Sequence, residues 1–525
     1  MKTRTKLFFG ALLLTANMAL ANNLQITGLT VTQATLGTGS VTFTVTWNNS
    51  WNVAAMPNNW DAVWLWVTWN LCSNGTNVAY THGTLSPTTA NHSFPAGMSP
   101  MTSVNSGGTI NNLTTTITNS TAEGPTLDML DGIMLAPNAP EMGTMTGSVT
   151  LMITNLPAAG TSVSVSVFGM EMVYVPTGAF QVGDGNTVTS SNYAFNGNGV
   201  EFSGPLSIGN TFETAPQTFY INQEPAALQV QTITAVPPAF PKGYYGFYIM
   251  KYEITQDEYC QFLNNIGYTS AAAATRYPND FAVNRDQLNG AAPPYVANRP
   301  YRAMNWLSWE DCASYLAWAC LRPMTELEYE KAARGIAAPA LNDYAWGSSA
   351  PVGGGSYAFS GAAVENGTET VTAGNCIYGG ANPTFSNGDG AQGPARAGIF
   401  ATAASARASA GASYYGVMEL TGNVREPVVA LAGDVVGNNP TTGATNVFTR
   451  TWGNGTLTAN GNQDQGVNTW PVWNYVAPAN ITNLIGHKGG AWNNALAQLY
   501  VSERWYIYNA PAITRQNYNG GRGVR

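Results

Sequence analysis

The chain has 525 residues, enough for several domains with sizeable cores, and only 10% of them are charged, with a net charge of −8. Aromatic residues make up 11%, and the apolar surface they can bury offsets the entropy of ordering, which excludes a disordered chain. After Lys6 no Lys or Arg occurs until Lys242, so that stretch offers no cations to a phosphate backbone, and nucleic-acid binding is excluded there.

At the start, Lys2, Arg4 and Lys6 precede an apolar stretch from Leu7 to Leu14, and Ala19-Leu20-Ala21 gives the small-x-small pattern of a cleavage site. Residues 1–21 are therefore expected to be a secretory signal peptide, and the mature protein to be secreted, extracellular or held at a cell surface. The apolar stretch is shorter than the roughly 20 residues a bilayer requires. No later segment is apolar for long enough, so no transmembrane segment is expected, and residue 22 is Asn rather than a lipid-bearing Cys.

Residues 22–169 alternate apolar and small polar residues, as in Val41-Thr-Phe-Thr-Val-Thr-Trp47, Ala62-Val-Trp-Leu-Trp-Val-Thr-Trp69 and Val163-Ser-Val-Ser-Val-Phe168. A period of two with β-branched and aromatic residues predicts strands with one buried face, most simply an antiparallel β-sandwich. A second domain is expected over 170–525, opening with Met172-Val-Tyr-Val-Pro176 and carrying a Gly, Asn and Pro-rich insertion at about 181–241. There the periodicity becomes helical: Tyr259, Phe262, Leu263 and Ile266 fall on one stripe. Thr255 with Glu258, Ser308 with Asp311, and Thr325 with Glu328 form capping pairs ahead of three short helices. The remainder is loop-rich with short strands, which makes this an irregular α+β domain. Five cysteines are an odd number for an exported protein, so at least one stays unpaired within the chain. If Cys312 and Cys320 share a helix, about 12 Å separates them, too far for a disulfide.

Eight blocks occur in one order: Met172–Pro176, Phe247–Thr255, Asn305–Asp311, Arg322–Gly335, Tyr344–Gly347, Gly416–Glu426, Lys488–Trp492 and Gly520–Arg525. Together they resemble the formylglycine-generating enzyme family, also called the sulfatase-modifying factor domain. The resemblance implies a variant of the C-type lectin fold and does not extend to the first 168 residues. The family's oxidases convert a sulfatase cysteine to formylglycine with two copper-holding cysteines just after Gly-Gly-Ser-Trp. Soft thiolates suit copper(I), but Asn494 and Leu499 stand at the matching positions, so neither copper nor oxidase activity is expected.

Other members of the wider family resemble nonheme iron enzymes, whose facial triad needs two His and a carboxylate. This chain has only His82, His92 and His487, in no ligand-like spacing. No iron, zinc or Ser-His-Asp chemistry is expected, and each His is read as an ordinary surface or turn residue. Gly353-Gly354-Gly355 lacks the Lys-Ser/Thr of a phosphate loop and is read as a flexible turn.

The family also binds calcium through carboxylates, amides and backbone oxygens, the hard ligands this ion prefers. The resemblance maps one structural calcium site to Glu419, the carbonyls of Gly422 and Val424, and Glu426. It maps a weaker one to Asn375, the carbonyl of Cys376, Asp389 and the carbonyl of Ala391. Where the family usually has Asn-x-Trp-Glu-Trp, this chain has Asn423-Val-Arg-Glu-Pro427.

The C-terminal segment concentrates aromatics with Asn and Gln, the chemistry of a recognition surface. Its candidate ligand-binding residues are Asn493, Asn494, Gln498, Tyr500, Glu503, Trp505, Tyr506, Tyr508, Gln516 and Tyr518. The competing reading for Trp505 and Ile507 is a strand whose alternate side chains fill the core. The segment also resembles the variable C-terminal segment of retroelement-diversified proteins on this fold. The functional expectation is an exported, non-catalytic protein that binds a protein or glycan ligand. The alternatives are self-assembly into a filament or surface layer through Thr-rich strand edges, and a divergent family enzyme using a Glu503–Arg504 pair.

Overall fold

The structure, a computed structural model, describes residues 24–34, 37–74, 78–101, 130–184, 194–199, 204–222, 230–267, 271–278, 285, 288, 294–352, 359–360, 370–371, 374–379, 392–402, 405–431, 448–463, 470–471, 485–508 and 514–525. The expected signal peptide, the 353–355 glycine run, Asp389, Ala391 and parts of the expected insertion lie outside the described residues.

The chain opens with β1 (Gln25–Gln33), β2 (Gly39–Asn52), β3 (Asp61–Leu71), β4 (Thr81–His82), β5 (Met98–Met101), β6 (Ile133–Pro137), β7 (Glu141–Ile153) and β8 (Val163–Val175). One antiparallel sheet has the order β1-β2-β7. Along β2 the expected alternation is present: Val41, Phe43, Val45 and Trp47 are buried, while the threonines between them are half-exposed. On that outer face Thr42 and Thr46 form hydroxyl pairs with Thr150 and Thr146 of β7, at 2.9 and 2.6 Å.

The second sheet is built on β3, flanked by β8 and β6, with β5 beyond β6 and β4 also on β3. Here the one-buried-face expectation needs correction, because β3 is buried on both faces. Val63, Leu65 and Val67 join the apolar cluster shared with β2 and β7. Ala62, Trp64 and Trp66 face the opposite way, into a cluster containing Phe168 and Trp318. A strand covered on both sides reads as a near-continuous apolar run, and Ala62-Val-Trp-Leu-Trp-Val67 is such a run. The Trp64 indole N–H donates to the Ala319 carbonyl at 2.9 Å, so its one polar group is satisfied as well.

The boundary expected at 169/170 falls inside β8, which continues without a break to Val175. Small sheets follow: β9 (Phe180–Val182) pairs with β11 (Leu206–Ile208), and β10 (Phe195–Asn196), β12 (Gln217–Asn222) and β13 (Val230–Val236) form another, with α1 (Thr211–Thr214) as a single turn between them. Then β14 (Phe247–Met250) returns to pair with the far end of β8, Phe247 opposite Val175 and Met250 opposite Met172. One sheet therefore carries strands from both sides of the expected boundary.

Helices α2 (Gln256–Asn265), α3 (Ala271–Arg276), α4 (Trp309–Trp318) and α5 (Glu326–Arg334) come next. The three expected capping boxes are present: Thr255, Ser308 and Thr325 each accept from the backbone three residues on, and Glu258, Asp311 and Glu328 bond back. Cys320 lies beyond the end of α4 in a left-handed conformation, and no disulfide joins any of the five cysteines, all of which are among the described residues. The remaining elements are the pair β15 (Phe359–Ser360) and β16 (Thr370–Val371), α6 (Arg407–Ala410), the pair β17 (Glu426–Val429) and β18 (Ile485–Lys488), and the single turn α7 (Trp505–Tyr508). The last residues are built into the interior. Val524 bridges Ile249 and Arg322, and the Arg525 guanidinium lies 3.7 Å from the Trp64 ring centroid. A Cβ at Gly523 would stand 2.3 Å from Leu316 Cδ2, so any larger residue there would have to displace that buried side chain.

The few charges are spent inside. Three glutamates of α5 hold four cations between them: Glu326 with Arg504 (2.6 Å), Glu328 with Arg322 (2.6 Å) and Glu330 with both Arg334 (2.7 Å) and Lys488 (3.3 Å). These partners are all buried. Removing one member of such a pair strands a charge in a poor solvent and costs roughly 3–5 kcal/mol.

Candidate functional site

The loop from Gly416 to Glu426 runs into β17 and carries all four residues expected at the first metal site. Its backbone is forced: Glu419 and Asn423 have φ of 52° and 61°, in the left-handed region. Glu253 underpins this loop, accepting from the Asn423 side-chain amide at 2.5 Å and from the Val424 N–H at 3.1 Å. Glu419 Oε1 accepts from the Gly398 N–H at 2.8 Å, and Glu426 Oε1 is paired with Arg522 at 2.7–2.8 Å. The other oxygen of each, Glu419 Oε2 and Glu426 Oε2, is buried and accepts no hydrogen bond. Burial pushes the Glu419 carboxyl up to about 7 against the opposing pull of Arg522. Glu253, pressed by burial and then by Glu419 and Glu426, is raised well above the carboxylate range. Glu253 was quoted in the sequence only as part of a motif, because nothing in Tyr252-Glu-Ile-Thr255 reveals which loop it supports.

At the weaker set, the Asn375 amide is committed to loop closure: its oxygen accepts from the Val352 N–H (3.1 Å), and its nitrogen donates to the Ala408 carbonyl (2.9 Å).

The two positions that the resemblance matches to the family's thiolates, Asn494 and Leu499, both hold packed side chains. Leu499 is fully buried in an apolar cluster with Tyr344, Trp346, Cys376, Ile377 and Trp492. Asn494 is buried and donates to the Tyr506 hydroxyl (2.7 Å) and to Gln498 Oε1 (3.2 Å), while accepting from Arg425 Nε (3.1 Å). Arg425 lies between two rings, 3.5 Å from the Tyr506 centroid and 3.9 Å from that of Tyr518. Three expected residues, Asn494, Tyr506 and Tyr518, thus converge on Arg425, which was not among them, and Gln498 joins them through Asn494. Its signal was the departure from the family's Trp at that position.

The strand considered for Trp505 and Ile507 does not form: Trp505–Tyr508 is a helical turn. Ile507 and Tyr506 turn inward and Trp505 stays half-exposed. The Tyr508 side chain lies outside the described set. Among the expected ligand-binding residues, Asn493 is exposed, and Gln498, Tyr500, Trp505, Gln516 and Tyr518 are half-buried. Asn494, Glu503 and Tyr506 are interior. The Glu503–Arg504 pair is corrected. Arg504 turns to Glu326 and the Leu431 carbonyl (2.7 Å), whereas the Glu503 carboxylate accepts from the Trp505 N–H (2.5 Å). Burial raises Glu503 to about 7.

The histidines are also corrected, since His92 and His487 are buried and His82 is half-buried. Burial lowers His82 to about 4 and His487 to about 3, so both are neutral at pH 7. His82 bonds the Trp318 carbonyl at 2.9 Å and lies 3.7 Å from Cys320 Sγ, joining β4 to the end of α4.

A family model for the sulfatase-modifying factor enzyme 1-like domain matches residues 165–430. The chain belongs to this family. The sulfatase-modifying factor match begins inside β8 and ends just after β17, so it takes in Glu253 and the 416–426 loop. The segment 485–525 lies past the match but is tied to it by the Glu426↔Lys488 register of β17 and β18 and by the Arg522–Glu426 pair. No curated protein matches the chain. Among solved structures it is similar to a pilus 2b backbone protein of group B streptococcus, at 14% identity over 43% of this chain and 86% of that one, with a TM-score of 0.11. So loose a superposition carries no argument.

On the 416–426 loop, two buried carboxylate oxygens without hydrogen-bond partners, Glu419 Oε2 and Glu426 Oε2, are hard donors of the kind calcium takes.

Proposed function

We propose that this member of the sulfatase-modifying factor family is an exported, non-catalytic binding protein. In this reading a β-sandwich precedes a lectin-like frame, which presents a protein- or glycan-binding surface. The observation that carries it is the state of the two thiolate positions: Leu499 is sealed in the core and Asn494 is consumed in the Arg425–Tyr506 network. Thiolates are what copper(I) chemistry requires, and a leucine and an amide supply none. The surface consists of the solvent-facing members of the segment, Asn493, Gln498, Tyr500, Trp505, Gln516 and Tyr518, with the Arg425 sandwich as their rigid support. Aromatic and amide side chains on a preorganised base combine contact area with adaptable hydrogen bonding.

Calcium serves this reading as a structural ion, held by Glu419, Glu426 and the carbonyls of Gly422 and Val424. It would screen two carboxylates from each other and fix the loop that delivers Arg425.

The non-catalytic part is tested by copper(I) titration of the purified protein, followed by mass spectrometry of a sulfatase-derived cysteine peptide. No stoichiometric binding and no formylglycine are expected. Conversion of the peptide would overturn the reading.

A further inference from the structure

A second site lies away from the C-terminal surface, where the start of β1, the middle of β8, the end of β14 and the cap of α2 meet. Leu24, Gly169, Met170, Met250 and Ala397 give this cavity apolar walls, and Glu171, Tyr252, Thr255, Glu258 and Tyr301 supply its polar groups. Glu171 decides its character. The residue is 6% exposed, and neither carboxylate oxygen accepts a hydrogen bond. Its one charged neighbour within ion-pair range, Lys251, stands 3.6 Å away and is shared with Asp61 at 3.7 Å. Asp61 is already satisfied by the Ser50 hydroxyl, the Trp47 indole and the Trp51 N–H.

Burial raises the Glu171 carboxyl to about 8 against the pull of Lys251, whereas Glu258, also in the lining, already accepts from the Thr255 N–H and hydroxyl. A buried carboxyl group that accepts no hydrogen bond is costly to leave so, and a cationic donor entering the cavity would satisfy it and hold it ionised. Among the described residues no group of three His, Cys, Asp or Glu side chains could hold a metal ion. The walls are methionine, leucine and alanine carbons rather than further hard oxygens. An ammonium group on an alkyl stem uses both halves of the lining: three N–H donors for Glu171 and its neighbours, and methylenes for the apolar walls. Tyr252 and Tyr301 add rings, which attract cations through their faces.

We propose that the cavity between β8, β14 and the α2 cap binds an alkylammonium group, through Glu171, with Met170 and Met250 along its stem. This site is independent of the 493–518 surface. Either a lysine side chain or a free amine supplies the chemistry.

The test is calorimetric titration of the full chain with n-butylammonium, Nα-acetyl-lysinamide and, as neutral isostere, 1-butanol. Saturable one-site binding of the ammonium ligands is expected, with none for butanol. Glu171→Gln should weaken it at least about tenfold, the loss of one charge-assisted hydrogen bond. Ala397→Leu, which fills the cavity while keeping every charge, should weaken it similarly and serves should Glu171→Gln not fold. Tighter binding of the lysinamide assigns a lysine side chain, and tighter binding of butylammonium a free amine. Butanol binding equal to butylammonium, no saturable binding of either ammonium ligand, or full affinity in folded variants would overturn the proposal.

Discussion

Individual side chains in this molecule are governed by how far they are from water. His487 is the clearest case. It sits in β18 with Nδ1 buried and unpartnered, and burial, with the nearby Arg425 charge, holds it at about 3. In the unfolded chain its pKa is about 6.5. Between those values the unfolded state binds a proton and the folded state does not, so acidification below about 6.5 removes stability and raising the pH restores it. Glu419 works in the opposite direction: its folded value of about 7 exceeds the unfolded one, so its contribution is lost as pH rises through 7. A His487→Leu variant should therefore lose less Tm than the parent between pH 6.5 and pH 4 in differential scanning calorimetry. Parallel pH profiles for the two proteins would show that the imidazole carries no such linkage. None of this was legible in the sequence, where a lone His among Ile-Gly and Lys-Gly looks like a turn residue. Burial is a property of what packs from elsewhere, here the segment after residue 500.

At the scale of elements, what could be read locally was read correctly, and what depended on distant partners was not. The capping boxes at Thr255, Ser308 and Thr325 involve residues three apart, so their pattern is complete within the sequence, and all three are built. Thr325 is fully buried and also donates to the Pro241 carbonyl (3.0 Å). Thr325→Ala should lower unfolding free energy by about 1–2 kcal/mol in urea titrations, with Thr325→Ser retaining most of it. Equal losses for the two substitutions would place the effect in packing rather than capping. By contrast β3 was misjudged as a strand with one dry face. Its second cover comes from Trp318 and Ala319, some 250 residues later, and no local period announces that. The 493–508 segment failed for the same reason: whether an aromatic is surface or core there depends on Arg425 and Glu326, which approach from other parts of the chain.

Across the whole molecule, the expected division at 169/170 is crossed by a continuous strand. The sheet containing β3 and β8 closes one apolar cluster against β2 and β7 and a second against α2 and α4, while β14 pairs along the last residues of β8. The composition change that suggested a boundary is real, but it marks where one face of a shared sheet passes to new partners. A fragment ending at residue 169 would cut β8 and bare Trp64 and Trp66, so it should not fold alone; far-UV circular dichroism showing cooperative melting of that fragment would contradict this. The family relationship fits the same picture, since its match starts inside the shared strand.

The central claim is that the molecule binds its ligand through the solvent-facing residues of the C-terminal segment. Its most direct test is the affinity, for a ligand taken from a glycan or protein array, of a variant with Ala at Asn493, Tyr500, Trp505 and Gln516, which leaves the Tyr506–Arg425–Tyr518 stack intact. The account predicts an unchanged Tm within a few degrees and at least about a hundredfold weaker binding, the sum of two or more hot-spot truncations. Undiminished affinity in that folded variant would contradict it.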